Sequence, residues 1–254
     1  EELRGTPRDR GTLRHSEEPR HRLLRYAFLI MGTKLTLTLA TPITTLALIG
    51  GGEFSFGETR EIDELLVRRM PEHRRTVAFL PTASGSAEYA IHFGNYLRTV
   101  DASLEVINVP VYRGRDARRQ KNLDTIAAAG MVYLGGGVTS QLLSTIRDSP
   151  TETAMRDAAV GGAVIVAIGA AAACFGSIAR DARDSSALTA LGWLTETAIE
   201  PGFDPADDTG LRRLMSVPEI QLGLGIPAST AIVIDQAGEA EIAGTGQIAA
   251  FRRQ

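Results

Sequence analysis

From Thr44 onward, apolar runs of strand length alternate with stretches of helical period, and few folds can absorb that alternation. "TTLALIGGG" reads as a buried strand that ends in Gly50, Gly51 and Gly52. "TREIDELLVRRM" follows with apolar residues at helical spacing, acids early and arginines late, as a helix dipole favours. The pattern repeats. Strands are expected in "RTVAFLPTAS", "SLEVINVPV", "GMVYLGGG" and "GAVIVAIG". Helices are expected in "AEYAIHFGNYLRTV", "KNLDTIAAA", "TSQLLSTIR" and "TETAMRDAAVGG", the third opened by Thr139 or Ser140 as its cap. Continuous apolar strands separated by helices imply a mostly parallel α/β sheet covered on both faces.

In such sheets ligands sit beyond the carboxyl ends of the strands. Glycine-containing clusters fall at those ends: Gly50–Gly52, Thr82–Gly85, Gly135–Gly137 and Gly169. A tight strand-to-helix turn accounts for any one of them. Several at corresponding positions point to a shared pocket. The last part, "STAIVIDQAGEAEIAGTGQIAAF", reads as three short β runs broken at Gly238 and Gly244, an antiparallel edge to the sheet. No internal repeat or interdomain linker is visible, so residues 44–254 are expected to form one domain.

Residues 1–43 differ. Their first part is dense in arginine, poor in apolar residues and without a period, and is expected to be a disordered or loosely attached extension. "AFLIM" is too short to span a bilayer. Met31 is an alternative start, and a secretory signal is disfavoured by Arg25 within the apolar run. Formal net charge is -3, which gives no basic bias for nucleic acid. The single cysteine, Cys174, excludes an internal disulfide and paired-cysteine metal sites, and fits a reducing cytoplasm. No His/Asp/Glu cluster has metal-site spacing, and neither metal nor cofactor is expected.

The stretch Gly162–Gly176, "GAVIVAIGAAAACFG", reads as a strand, a small-residue turn and a helix. That arrangement presents the catalytic serine of many hydrolases, in the pattern G-x-S-x-G. Together with "LIGGGE", "FLPTAS", "YLGGGVTSQLL", "AIEPGFD" and "GLGIPASTAIVID", in that order, it resembles the serine-peptidase family of dipeptidase E and cyanophycinase. The resemblance runs from about Leu46 to Phe251. It implies the class I glutamine-amidotransferase-like fold, a flavodoxin-like three-layer α/β/α sandwich, and a possible homodimer.

The family's elbow resembles G-A-V-I-x-G-x-S-A-G-A. Aligned without gaps, its serine falls on Gly169; a shift of two residues would place it on Ala171. Neither position has a hydroxyl. The family histidine, in a segment like D-x-H-F, falls on Gly202, and every histidine of the chain (His15, His21, His73, His92) precedes the elbow. A serine at neutral pH needs an adjacent base, so absence of both removes the mechanism. Val138 stands where the family has Asn or Asp, and Pro227-Ala228 where it has acidic residues.

By the same resemblance, the backbone N–H groups of Ala170 and Gly137 correspond to the oxyanion hole. The glycines Gly51, Gly52, Gly136 and Gly137, with Val138, Ala170 and Glu200, then frame a pocket for a small acidic or anionic ligand. Glu200 is the best candidate for a relic of the triad acid, ahead of Asp181 and Asp184. The expected function is thus a catalytically degenerate homologue that still binds such ligands. The alternative is a hydrolase of acidic peptides with a rearranged nucleophile, for which Cys174 and Ser177 are the weak candidates. Cys174 is more simply a small buried residue of the elbow helix. His92 reads as a helix-surface residue, and Arg212-Arg213 as a family-like basic pair or a helix surface.

Overall fold

In a computed structural model the chain is described at residues 24–29, 35–181, 183 and 186–253. The first part runs β1 (Leu24–Leu29), β2 (Leu35–Thr36), β3 (Thr45–Ile49), α1 (Arg60–Arg69), β4 (Thr76–Leu80), α2 (Ala87–Val100) and β5 (Glu105–Asn108). Next come α3 (Gln120–Ala128), β6 (Met131–Leu134), α4 (Thr139–Ile146), α5 (Pro150–Val160), β7 (Val164–Ile168) and the short α6 (Ala170–Ala173). The last part is β8 (Ile178–Arg180), β9 (Ala187–Thr189), β10 (Thr197–Pro201), α7 (Thr209–Met215), β11 (Leu222–Ile226), β12 (Thr230–Asp235), β13 (Glu239–Gly244) and β14 (Ile248–Arg253).

Eight strands form the main sheet in the order β2-β13-β12-β3-β7-β6-β4-β5. The block from β3 to β5 is parallel, and β12, β13 and β2 continue it antiparallel. Alternate side chains of each central strand serve opposite faces, as the two-residue strand period requires. Leu46, Leu48, Ile165 and Ala167 enter one core with Ile126 of α3, Leu142 of α4 and Met155 of α5. Ala47, Ile49, Val164 and Val166 enter the other, against Ile62 and Leu66 of α1 and Phe93 of α2. Both faces are therefore covered, and the layers follow from the apolar runs.

The second sheet is a departure from the single sheet expected. Six strands pair in the order β1-β14-β11-β10-β8-β9, with β10 parallel to both β8 and β11. The three C-terminal runs do not make one antiparallel edge. β12 and β13 join the main sheet, whereas β14 crosses to the second and pairs with β11 and β1. The physical reason is the free edge of β11, whose residues are all buried and whose other side is occupied by β10. Unpaired buried backbone groups are costly, and β14 satisfies them.

Two further differences are local. Leu35, Leu37 and Ile43, placed by the sequence with the N-terminal extension, are buried in the core, and β2 pairs with β13. Residues 1–23 and 30–34 of the expected extension lie outside the described residues. Helix α4 begins at Thr139 itself, with Val138 at its N-cap and neither Thr139 nor Ser140 serving as cap. Asp181, at the end of β8, substitutes for that cap by accepting hydrogen bonds from the Ser140 hydroxyl and N–H. The Ser140 hydroxyl, the Arg183 N–H, which donates to Asp181 Oδ1 at 2.9 Å, and the Ser140 N–H together hold the Asp181 carboxyl below its usual range.

Candidate functional site

Strand β7 is buried along its whole length and delivers the chain to Gly169, whose N–H donates to the Ile49 carbonyl at 2.9 Å. Gly169 has φ 58° and ψ -128°, a conformation that side-chain-bearing residues adopt only under strain. A Cβ placed there meets nothing within 4 Å. The position is thus a tight turn whose missing side chain would point into open space. Its carbonyl accepts from the Ala172 N–H at 2.8 Å and starts α6. The Ala170 N–H precedes the first helical bond and has no partner within the helix.

Across the opening, β10 ends at Pro201 and Gly202 follows with φ 64°. A Cβ on Gly202 also finds room, its nearest neighbour being the Gly50 carbonyl oxygen at 4.0 Å. Gly169, Ala170, Glu200 and Gly202 all line one pocket of about 190 Å³, with Gly50, Thr139, Ala173, Arg180, Ile199 and Pro201 completing it. Two positions far apart in sequence therefore face one cavity, and neither supplies a side chain.

The charge in this pocket is an ion pair. Arg180 of β8 grips Glu200 of β10 through two nitrogens: Nη2 donates to Oε1, and Nε donates to Oε2 at 3.3 Å. The pairing raises the Arg180 pKa further. Parallel pairing of β8 with β10 brings the two residues together, and α7 closes over them. A Cβ on Gly210 would lie 3.0 Å from Arg180 Nε and 3.1 Å from Glu200 Oε1, so a larger residue there would make the ion pair give by a few tenths of an ångström. Arg180 was not singled out from the sequence. No local signal marks it, because its partner lies twenty residues away on another strand.

The remaining expected positions surround this pocket without lining it. Gly136 lies beside the end of β7, where an added Cβ would be 3.2 Å from the Ile168 carbonyl oxygen. Gly137 is pressed against Ala83, whose backbone an added Cβ would meet at 2.3 Å. The Val138 N–H donates to the Ala83 carbonyl at 2.9 Å, and the Gly51 carbonyl accepts from Ser229 N–H at 2.9 Å. Gly52 lines a different cavity.

Cys174 is fully buried at the end of α6, and burial pushes its thiol pKa well up, with the charge of Asp181 adding to the effect. It is not among the pocket's lining residues. Ser177 donates its hydroxyl to the Leu194 carbonyl at 3.2 Å. His73 and His92 are exposed, and His15, His21 and Asp184 lie outside the described residues. Among the described residues no group of three or more His, Cys, Asp or Glu is placed to hold a metal. No described helix is long and apolar enough to cross a membrane.

Comparison with known proteins agrees with this fold. The sequence model of Peptidase family S51 matches residues 46–242. The chain is 26% identical over 165 residues to the uncharacterized peptidase YgaJ of Bacillus subtilis (strain 168), covering 63% of this chain and 69% of that protein. Among solved structures it is similar to a peptidase from an acI-B1 Actinobacterium, with TM-score 0.68 and 19% identity, over 81% of this chain and 89% of the other. It is also similar to a peptidase E-like protein of Listeria monocytogenes EGD-e, with TM-score 0.58 and 15% identity, over 80% of this chain and 100% of the other. These two likenesses carry the fold.

Proposed function

The chain belongs to peptidase family S51, and from that premise we propose that it is a non-hydrolytic member which binds small acidic or anionic ligands at the elbow pocket. Membership supports a peptidase-type function in general; the loss of hydrolysis rests on two glycines at the elbow pocket. The observation that carries it is the pairing of Gly169 with Gly202 around one cavity. The resemblance puts the nucleophile at the first and its base at the second. Both sites leave room for a side chain and hold none.

Neither Cys174 nor Ser177 takes over. A nucleophile must be exposed to substrate and activated by a neighbouring base. The Cys174 thiol is buried with its pKa raised, and the Ser177 hydroxyl is committed to a carbonyl. What remains is recognition. The Ala170 N–H can donate to an oxyanion, because backbone donors do not depend on the lost side chains. Arg180 brings a positive fork to the same pocket, held in place by Glu200.

The test is hydrolysis and binding measured on one preparation. Aspartyl dipeptides and cyanophycin are expected to remain uncleaved, while an aspartyl dipeptide or inorganic phosphate shifts the amide resonance of Ala170. Cleavage that survives Gly169→Ala and is abolished by Cys174→Ala or Ser177→Ala would instead establish a rearranged nucleophile. Absence of any shift at Ala170 would remove the anion site. The double change Gly169→Ser with Gly202→His then asks how much of the ancestral pocket persists. With Val138 and Pro227-Ala228 in place of polar residues, little or no hydrolysis is expected to return.

A further inference from the structure

A second and larger cavity, of about 950 Å³, lies between the short 3-10 turn Phe54–Phe56 and α2. Gly52 lines it, two residues along from the Gly50 that lines the elbow pocket, so the glycine turn after β3 divides the two. Their walls differ in kind. The larger cavity is bounded by the rings of Phe54, Tyr89 and Tyr96. Phe54 stacks on Tyr89 with centroids 6.0 Å apart and leans on Tyr96 at 5.3 Å. Its volume is that of an ordinary small-molecule site.

Charge around these rings is predominantly negative. Glu53 lines the cavity, and Glu58 accepts a hydrogen bond from the Glu53 N–H at 2.8 Å. Neither carboxylate has an ion-pair partner among the described residues. Glu53 Oε1 is oriented by the Ser55 N–H and hydroxyl at 3.1 and 2.9 Å. Behind Tyr96 lies Asp63, only 2% exposed, whose Oδ2 accepts from the Tyr96 and Thr59 hydroxyls at 2.7 Å each. Arg60 also lines the cavity, but it is held by Glu64 at 3.0 Å and reaches the Thr99 carbonyl. His92 is the other basic side chain on the wall.

We infer that this cavity is a binding site for a small organic cation carrying a flat apolar group, such as an arylamidine or arylalkylamine. The aromatic faces attract the cation and cover its apolar part, and Glu53 faces its charge. The ligand is opposite in charge to the one assigned to the elbow pocket, and the two sites share no lining residue.

The probe is benzamidine, compared with its neutral isostere benzamide, by calorimetry or ligand-observed NMR on the full chain near neutral pH. Benzamidine is expected to bind about tenfold more tightly than benzamide. Glu53→Gln, a surface change that leaves the aromatic wall intact, is expected to reduce that preference to about threefold or less. Phe54→Ala, with folding checked by circular dichroism, is expected to weaken binding of both probes by about tenfold. Equal affinity for the two probes, no binding up to about 10 mM, or affinities unmoved by both substitutions would overturn the assignment.

Discussion

The two sheets contribute unequally to the elbow pocket. The main sheet supplies backbone: β3 and β7 are buried along every residue, and their parallel register holds Gly169 by its bond to Ile49. The second sheet supplies charge: Arg180 comes from a three-residue strand and Glu200 from the strand beside it. The difference teaches which parts of the pocket depend on side chains and which on backbone. An elbow fixed by strand hydrogen bonds keeps its shape when a side chain is removed. A charge held by one ion pair can be replaced without disturbing the strands around it. On this view, substitutions in the main sheet act on stability, and those in the second sheet act on the pocket.

The largest expected effect tests the first half of that contrast. Ile165→Ala in β7 empties a fully buried site, and is expected to cost about 3–4 kcal/mol in urea unfolding. Leu188→Ala in β9, where the side chain is only half-buried, is expected to cost about 1 kcal/mol. Equal costs would break the comparison.

The next effect lies under the other face of the main sheet. Burial raises the Asp63 carboxyl to about 6, against the lowering influence of the Thr59 and Tyr96 hydroxyls. Between roughly pH 4 and 6 the folded chain therefore keeps a proton that the unfolded chain has released. Stability from this group is greatest at acid pH and is lost as pH rises through that window. A shift of about 2 units corresponds to roughly 2–3 kcal/mol. Subtracting the unfolding curve of Asp63→Asn from that of the parent chain is expected to reveal this slope. A difference that does not change with pH would mean that Asp63 titrates normally.

How much of this was legible in the sequence follows the same division. In the main sheet each strand announces itself, because burial on both faces demands an unbroken apolar run such as Val164–Ile168. The second sheet has no such signal. β8 and β9 are three residues each, and β9 has the exposed pattern of an edge. β14 is apolar enough to be recognised as a strand, but nothing local says that it leaves β13 for β11. The same holds within the site. Gly169 and Gly202 stand out in the sequence because the family pattern leaves a visible gap at each. Arg180 does not, since an ion pair across strands has no spacing rule. The cap of α4 was missed for that reason too: Thr139 is buried, and the acceptor comes from Asp181 in the other sheet.

That borrowed cap gives the third prediction, which sharpens the boundary between the sheets. Asp181→Ala removes the acceptor for the Ser140 N–H and hydroxyl and for the Arg183 N–H, and is expected to cost about 1 kcal/mol at neutral pH. Because the folded-state pKa is lowered, this contribution is present above the unfolded value and disappears as pH falls below about 4. Thermal unfolding of both chains at neutral and acid pH reads it. A cost unchanged in acid would assign the loss to packing and not to the charged cap.

The smallest expected effect on stability is also the most direct probe of the pocket. Glu200→Gln keeps the shape of the side chain and one acceptor for Arg180, but removes the charge that now neutralises the guanidinium. Both groups are partly exposed, with side chains 27% and 13% accessible, so solvent screens the pair and the stability change is expected to stay within about 1 kcal/mol. Recognition should move further than stability. With its fork released, Arg180 can donate to an incoming carboxylate while the Ala170 N–H donates to the other end of the anion. Affinity for an aspartyl dipeptide is then expected to rise about fivefold, most strongly at low salt. Arg180→Gln should lower it and abolish the benefit of Glu200→Gln in the double variant. If Glu200→Gln instead weakens binding, the carboxylate itself contacts the ligand, and the second sheet contributes a negative group to recognition in place of a positive one.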